Sequence, residues 1–438
     1  MNWRIEGGTV KEGSVSIAGY KHALVPMLTA SMMFEGPVEI RNVPSVLDTV
    51  LLCEILEHLG ARVERGAGTV RIDSSRMVYA PIPGELSGRI HGAVYLLPTL
   101  LARFGRLEMG ESGGCQIGSV AEGGQRPVKH MVEVLERFGA RFETDGSRLS
   151  ARCERLKATH IDIMDFSKDP NRKALEGPYH SGATKTALMA AVAAEGTTVI
   201  DNPHDKEATL DLAAFLAQGG ADIEIGDRRI VVRGGEPLKT VSHSLISDTT
   251  EMVTFICLSV FMNRSLRLTN ITVDTVRRPL GPELAIFEAM GIRIEWGPDW
   301  IQVIPPQVLR GVDVEATGLG VATDSQPFFT LMLTLADRPS RVSDAIWGNR
   351  FAYVEMLVKL GAQLRVEGAT VHVTPGRPST AGQQLRASDT RAAAVLAVAA
   401  LGIPGTTSIA DVHHHERGYE QFVPKLRSLG AKIEEREA

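Results

Sequence analysis

Hydrophobic and polar residues along the chain fall into one phrase used six times, an amphipathic helix that stops at a glycine and runs into an alternating strand. It reads HLGARVE at Gly60, RFGARFE at Gly139, QGGADIE at Gly220, AMGIRIE at Gly291, KLGAQLR at Gly361 and SLGAKIE at Gly430. The intervals are 79, 81, 71, 70 and 69 residues, a regularity that signals internal duplication of a supersecondary unit. Glycine suits the helix end because it enters the left-handed C-cap conformation without a Cβ penalty. The alternation that follows predicts a strand with one buried face. A second helix in several units also leads into a strand, at FEGPVEIRN (34–42), AEGTTVIDN (194–202), NRSLRLTN (263–270) and IPGTTSIAD (403–411). Six α/β units of this kind divide into two groups of three, giving two similar domains able to close on a cleft, with the break near 240–247. The pattern alone leaves open which domain takes the N-terminal strand.

Composition narrows the class. With 438 residues, 44% hydrophobic and 23% charged, the chain is long enough for two separate cores. A formal net charge of -5 gives no reason to expect a nucleic-acid partner. The N-terminal stretch lacks the charged start and apolar block of a signal peptide. The runs TALMAAVAAEG and RAAAVLAVAALG are too short and too soon ended by glycine to span a bilayer, so they predict buried helices and no membrane partner. A cytoplasmic protein is expected. Four cysteines without close pairing suit a reducing compartment and form neither a disulfide framework nor a zinc motif.

Several residues stand in settings that suit chemistry. Cys115 follows two glycines in ESGGCQIG, where a bent backbone favours an exposed thiol, and Arg126 and Lys129 downstream would lower its pKa. Cys53 and Cys257, on apolar helical stretches, read as buried hydrophobes. Arg126, Arg350, Arg391 and Arg417 recur in short polar loops of the repeated units, and a planar, always-charged fork suits a bidentate grip on carboxylate or phosphate. Lys21 lies between a strand and an apolar helix, a place for anchoring an anion. Asp324 precedes an apolar helix, where capping competes with a role as general base. Three adjacent histidines in HHHERGYE cannot all face one ion from a regular element, so no metal site is expected.

Taken together, GYKHALVP, IRNVPSVLDT, SGGCQIG, RPV, AAEGTTVIDN, ATDSQPFFTLM, GNRFAYV, DTRAAA and HHHERGYEQFVPKLRSLGAKIE resemble the enolpyruvyl transferases, specifically the branch that acts on UDP-N-acetylglucosamine in bacterial cell-wall synthesis. The resemblance runs almost end to end. It implies an α/β fold of two inverse α/β-barrel domains, each of three repeated units, with the active site in the cleft between them. Residues 21–243 would form one domain with the cysteine loop, and residues 1–20 with 244–438 the other. It also implies phosphoenolpyruvate and a nucleotide acceptor as partners and no cofactor. Lys21 and Arg126 match the phosphate-binding pair, and Arg350, Arg391 and Arg417 the grip on the phosphoenolpyruvate carboxylate. Cys115, Asp324 and Lys21 fall on the catalytic positions, with Asp324 beside the acceptor hydroxyl. Asp48, Asp248, Glu251 and His414 fall on other cleft positions.

The acceptor half departs from that branch. Lys21 is followed by His22 in place of asparagine, and His91 stands where the cell-wall enzymes carry an arginine. Arg126-Pro127-Val128 continues into Lys129-His130 and not Asp-Leu-His, after an insertion around SVAEGGQ. A second insertion, FSKDPNRKALEGPYH, precedes Ser181 of SGATKT, and Lys206 and Ala208 replace an acidic pair. These differences place His22, His91, Lys129, His130 and Ser181, with Asp324, around a changed acceptor. They point to the related transferases of nikkomycin- and polyoxin-type pathways, which act on the 3′-hydroxyl of UMP. UDP-N-acetylglucosamine is the alternative acceptor, and a non-catalytic ligand-binding paralogue is the alternative of a different class.

Overall fold

A computed structural model describes residues 1–113, 127–167, 177–348 and 350–437. The chain divides into two compact units, one of Met1–Ala18 with Ser247–Ala438 and one of Gly19–Ile246. Each is a mixed α/β assembly, and the described residues form five four-stranded sheets and one three-stranded sheet.

All six glycines of the repeated phrase have positive φ, from +86° to +108°. At each, the amide of the following residue returns to the carbonyl five residues earlier: Ala61 to Leu56, Ala140 to Leu135, Ala221 to Leu216, Ile292 to Phe287, Ala362 to Leu357 and Ala431 to Leu426. The glycine amide bonds the carbonyl three residues back, completing the same two-bond helix stop six times. Orphan carbonyls are satisfied, and the chain turns directly into the strand.

The sheets share one plan. In the unit Gly19–Ile246, Val38–Arg41 pairs antiparallel with Thr69–Asp73, which pairs antiparallel with Arg62–Gly66, while Val241–Ser244 adds in parallel at the other edge. Gly196–Asp201, Arg229–Gly234 and Asp222–Gly226 repeat the plan with His160–Asp162 as the parallel strand. The three-stranded sheet of Arg106–Met109, Arg148–Arg152 and Arg141–Asp145 reduces the parallel strand to a single bridge between Ile82 and Met109. In the other unit, Gly13–Ser16 runs parallel to Leu266–Thr269. Asn2–Gly7 lies between Gly405–Ala410 and Lys432–Arg436, antiparallel to both. It takes the place that in the other sheets is filled by the strand following the hairpin turn.

Three helices form the centre of each unit. Thr249–Met262, Gln326–Leu333 and Thr390–Leu401 pack on one another and are buried almost throughout. Lys21–Ala30, Leu96–Phe104 and Tyr179–Ala193 are the buried helices of Gly19–Ile246, with Leu96–Phe104 packed on both of the others. Such helices are apolar around most of their circumference, and their polar residues concentrate at the N-terminal ends. No helix of the described residues is long and apolar enough to cross a membrane. Cys53, Cys153 and Cys257 are all buried.

The repeated helix stop is testable where sterics play no part. A Cβ added at Gly139 or Gly220 would meet nothing within 4 Å, so the cost of alanine there is purely the cost of φ +96° or +108°. Gly139→Ala and Gly220→Ala should each lose about 1–2 kcal/mol in urea denaturation; wild-type stability in both would show that the helix stop does not require a positive φ.

Candidate active site

The N-terminal ends of the inner helices carry Lys21, Asp248, Glu251, Asp324 and Arg391 among the charged residues read from the sequence. In the unit completed by Ser247–Ala438, Asp389 caps Thr390–Leu401, its Oδ1 accepting from the amides of Arg391 (2.8 Å) and Ala392 (3.1 Å). That cap holds Arg391 in the first turn of a helix otherwise made of small apolar residues. The guanidinium passes over the Tyr419 ring at 5.0 Å and donates through Nη2 to Asp324 Oδ2 at 3.1 Å. Tyr419 is held in turn by a 2.8 Å hydrogen bond with Thr254. Arg350 reaches the other oxygen, with Nη1 2.5 Å from Asp324 Oδ1.

One carboxylate thus bridges two guanidiniums. The Arg350 and Arg391 side chains are 8% and 4% exposed, Asp324 19%. Burial is the largest single influence and works against both positive charges, but Asp324 together with the other acidic and hydroxyl neighbours outweighs it, and both pKa values are raised, that of Arg391 well above its usual range. Arg350 Nε and Arg391 Nη1 are buried and, among the described residues, make no hydrogen bond of normal geometry, although the Tyr419 hydroxyl lies close enough to Arg391 to support its charge. Unpaired buried donors are rare in folded proteins, and two on adjoining guanidiniums leave hydrogen-bonding capacity that one more oxyanion would satisfy. Asp324 does not cap the following helix: the cap position of Gln326–Leu333 is Ser325, with no side-chain cap bond. The capping role open in the sequence gives way to the ion pairs.

Around this group, Asp248 caps Thr249–Met262 by accepting from the Glu251 amide at 2.9 Å. Glu251 is buried, accepting from the Ala18 amide (2.7 Å) and from Lys425 (2.6 Å). Burial raises its pKa, and Lys425 opposes that rise. The His414 carbonyl accepts from Thr390 Oγ1 at 2.9 Å, tying the His-rich turn to the helix of Arg391. Arg417 ends that turn, Val412–Arg417, and is half-buried. The three adjacent histidines have different surroundings: His413 and His414 lie against each other at 4.1 Å with their rings tilted by 39°, while His415 packs edge-on against Trp3 at 4.7 Å.

In the unit Gly19–Ile246, Lys21 begins its helix and lies 3.2 Å from Asp48, in the first turn of Leu47–His58. His22 packs edge-on against Tyr20, and His91 opens the short helix His91–Tyr95. Ser181 is half-exposed in the first turn of Tyr179–Ala193. His130 is buried against Tyr179 and lies so close to Gly182 that a Cβ there would be 2.5 Å from its Nε2. Lys129 is 86% exposed and pairs with Glu133 one helical turn on. Its charge is spent on that surface pair, and the structure does not bring it to the other acceptor candidates. Cys115 and Arg126 lie outside the described residues. Sequence reasoning missed His180, close enough to His130 to disfavour its protonation, and Lys185 and His204, which are close enough to interact with each other; the signal available was a lysine and a histidine inside an otherwise apolar helical run.

The model of the EPSP synthase (3-phosphoshikimate 1-carboxyvinyltransferase) family matches residues 5–426. The chain belongs to that family. It is 34% identical over 440 residues to a UDP-N-acetylglucosamine 1-carboxyvinyltransferase of Salmonella gallinarum, covering 99% of this chain and 98% of the relative. The corresponding protein of Citrobacter koseri is 35% identical over 436 residues, with the same coverage. The crystal structure of the enolpyruvyl transferase NikO from Streptomyces tendae superimposes with a TM-score of 0.92 at 35% identity, covering 99% of this chain and 98% of that one. EPSP synthase from Acinetobacter baumannii shares the fold, with a TM-score of 0.75 at 16% identity over the whole of both chains. The chain is therefore an enolpyruvyl transferase, and the buried arginine pair belongs to a transferase of carboxyvinyl groups.

Asp248 offers a pH test of this enolpyruvyl transferase's interior. Its carboxyl is pushed up from 3.8 to about 7, first by burial and then by Glu251, with Arg391 opposing. Between those values the folded chain holds a proton that the unfolded chain has released, so the contribution of Asp248 to stability falls as pH rises through that window. Asp248→Asn keeps an acceptor for the cap but does not titrate. Urea denaturation of both proteins should show the variant gaining relative to wild type between about pH 4 and about pH 7; a constant difference would mean that Asp248 is ionised throughout.

Proposed function

We propose that the chain transfers the enolpyruvyl group of phosphoenolpyruvate to the 3′-hydroxyl of UMP and releases phosphate. The observation that carries the enolpyruvyl half is the Arg350–Asp324–Arg391 group with its two unpaired buried donors. A carboxylate brought by substrate completes those donors, and Arg417 adds a third cation. Lys21, with Arg126, grips the phosphate. In this reading each unit is an inverse α/β barrel and the reaction takes place between them, because the carboxylate arginines and Lys21 belong to different units.

The chemistry follows from the charges. Cys115 gives a proton to the methylene carbon of phosphoenolpyruvate, leaving C2 cationic. The acceptor oxygen adds to C2 as Asp324 takes the hydroxyl proton, forming a tetrahedral ketal. Loss of a proton from the new methyl group with departure of phosphate restores the double bond as an enol ether. Asp324 suits the base role because it is already aimed at the carboxylate site, and its hold on two arginines orders it before substrate arrives.

The acceptor assignment rests on the changed half of the sequence, where His22, His91, His130 and Ser181 stand with two insertions. The second reading, UDP-N-acetylglucosamine as acceptor, is favoured by relatives of that name at 34–35% identity over nearly the whole chain. Discrimination between the two should be sharp, since a site built to pair a phosphate or a sugar hydroxyl is left with unpaired groups by the wrong ligand.

Phosphate release measured with phosphoenolpyruvate and each of UMP, UDP-N-acetylglucosamine, other nucleoside monophosphates and shikimate 3-phosphate decides between them. Turnover is expected with UMP; efficient turnover of UDP-N-acetylglucosamine with none of UMP would return the chain to cell-wall synthesis. Fosfomycin, an epoxide mimic of the substrate, should alkylate Cys115 in peptide mass analysis, and Cys115→Asp should escape alkylation while keeping some turnover. Modification confined to Cys53, Cys153 or Cys257 would remove Cys115 from the proton-donor role.

A further inference from the structure

The loop that carries Asp324 is held by two buried carboxylates, Glu283 and Asp344, which are 2% and 1% exposed. Glu283 Oε1 accepts from the Ala322 amide at 2.7 Å and from Ser325 Oγ at 3.4 Å. Asp344 Oδ2 accepts from Thr323 Oγ1. Hydrogen bonds thus fix the residues on either side of Asp324, while its own side chain goes to Arg350 and Arg391.

Asp344 makes a second set of bonds. Its Oδ1 accepts from the amides of Ile346 (2.9 Å) and Trp347 (2.8 Å), folding the start of the loop that leads to Arg350. One carboxylate therefore joins the loop of Asp324 to the loop of Arg350. Thr323 fixes the direction of the join. Arg350 Nη1 approaches the Thr323 hydroxyl at 3.5 Å, and a guanidinium only donates, so the single hydroxyl proton is left for Asp344.

A turn alone does not require this residue. An oxygen on the amides two and three residues ahead is the ordinary Asx turn, which asparagine makes as well. A buried carboxylate is costlier than a buried amide, because water has to be stripped from a charge. Burial accordingly raises the pKa of Asp344, and Thr323, the Trp347 amide, Arg350 and the Ile346 amide oppose that rise. What the charge adds is a second strong acceptor, used by Thr323, and an anion near Arg350, whose own charge Asp344 supports behind Asp324 and Asp389. Both additions bear on the site and not on the turn.

We propose that Asp344 is a positioning residue for enolpyruvyl transfer, holding Asp324 and Arg350 in one register through Thr323 and the turn at Ile346 and Trp347. Two arginines on Asp324 fix it only relative to themselves, and a base has to be fixed relative to the acceptor hydroxyl as well. Asp344, with Glu283, supplies that through the backbone of the loop. The inference rests on the reading of Asp324 as general base and is independent of which acceptor is used.

Thr323→Val removes the hydroxyl at nearly constant shape, Thr323→Ser keeps it, and Asp344→Asn keeps the turn while removing the charge. Steady-state rates are followed with phosphoenolpyruvate and, in parallel, UMP and UDP-N-acetylglucosamine. Thr323→Val and Asp344→Asn should each lower kcat at least about tenfold. In Thr323→Val the KM for phosphoenolpyruvate should stay within about threefold of wild type, and Thr323→Ser should recover most of the lost kcat. Wild-type kcat in a folded Thr323→Val, or a serine variant as impaired as the valine one, would overturn the proposal. Hydrogen exchange reads the join without turnover: in Asp344→Asn and Thr323→Val, peptides covering 320–326 should exchange at least about threefold faster than in wild type. If Asp324→Asn keeps the wild-type kcat, or neither acceptor is turned over, the reading of the reaction fails while the exchange rates still decide whether Asp344 holds the loop; unchanged exchange there would sink it.

Discussion

A buried guanidinium cannot shed its charge, so whatever surrounds Arg350 and Arg391 has to supply an anion to each. Asp324 does so for both, one oxygen to each arginine. Removing one partner of a buried ion pair commonly costs about 3–5 kcal/mol, which is why the elements that aim these three side chains are themselves fixed by hydrogen bonds. Asp389 pins the first turn that carries Arg391, Thr254 holds the Tyr419 ring under its guanidinium, and Thr390 ties the same helix to the His-rich turn. The pairing is also incomplete, because among the described residues two donors make no hydrogen bond of normal geometry. In the proposed function, the constraint that orders the site also leaves it ready for a second carboxylate.

The repeated architecture explains how such a group is assembled from distant parts of the chain. Six units with the same helix stop and sheet plan place their inner helices together in threes, and the starts of those helices are where polar residues collect. Lys21 is the first residue of one inner helix, and His180 and Arg391 are the second residues of two others. Duplication provided the positions, and divergence at each provided different chemistry. The strand Asn2–Gly7, seated between Gly405–Ala410 and Lys432–Arg436, shows the same economy by filling a position that elsewhere belongs to a hairpin.

What was legible in the sequence follows from what each residue type can do locally. The six glycines were readable because a positive φ at a helix end is a property of one residue and its neighbours, and the structure gives all six that conformation. The runs TALMAAVAAEG and RAAAVLAVAALG were readable as buried helices because few other structures hide so many small apolar residues. The partnership of Asp324 with two arginines was not readable, since it joins residues 26 and 67 positions away through tertiary packing. Lys129 and Lys185 mark the other limit. Both are helical lysines, Lys129 the first residue of Lys129–Arg137 and Lys185 in the middle of Tyr179–Ala193, yet one lies at the surface beside Glu133 and the other is enclosed near Glu207, and only tertiary packing tells them apart.

The central claim is that Arg391, paired with Asp324 and carrying an unmet donor, receives the carboxylate of phosphoenolpyruvate. The most direct measurement is the steady-state dependence of Arg391→Lys on phosphoenolpyruvate and on the acceptor, each varied at saturation of the other. A point charge in place of the fork keeps the ion pair with Asp324 and loses the second hydrogen bond. The predicted result is a KM for phosphoenolpyruvate raised at least about tenfold, with the acceptor KM little changed. An unchanged KM for phosphoenolpyruvate, in a variant that melts like the wild type, would contradict it.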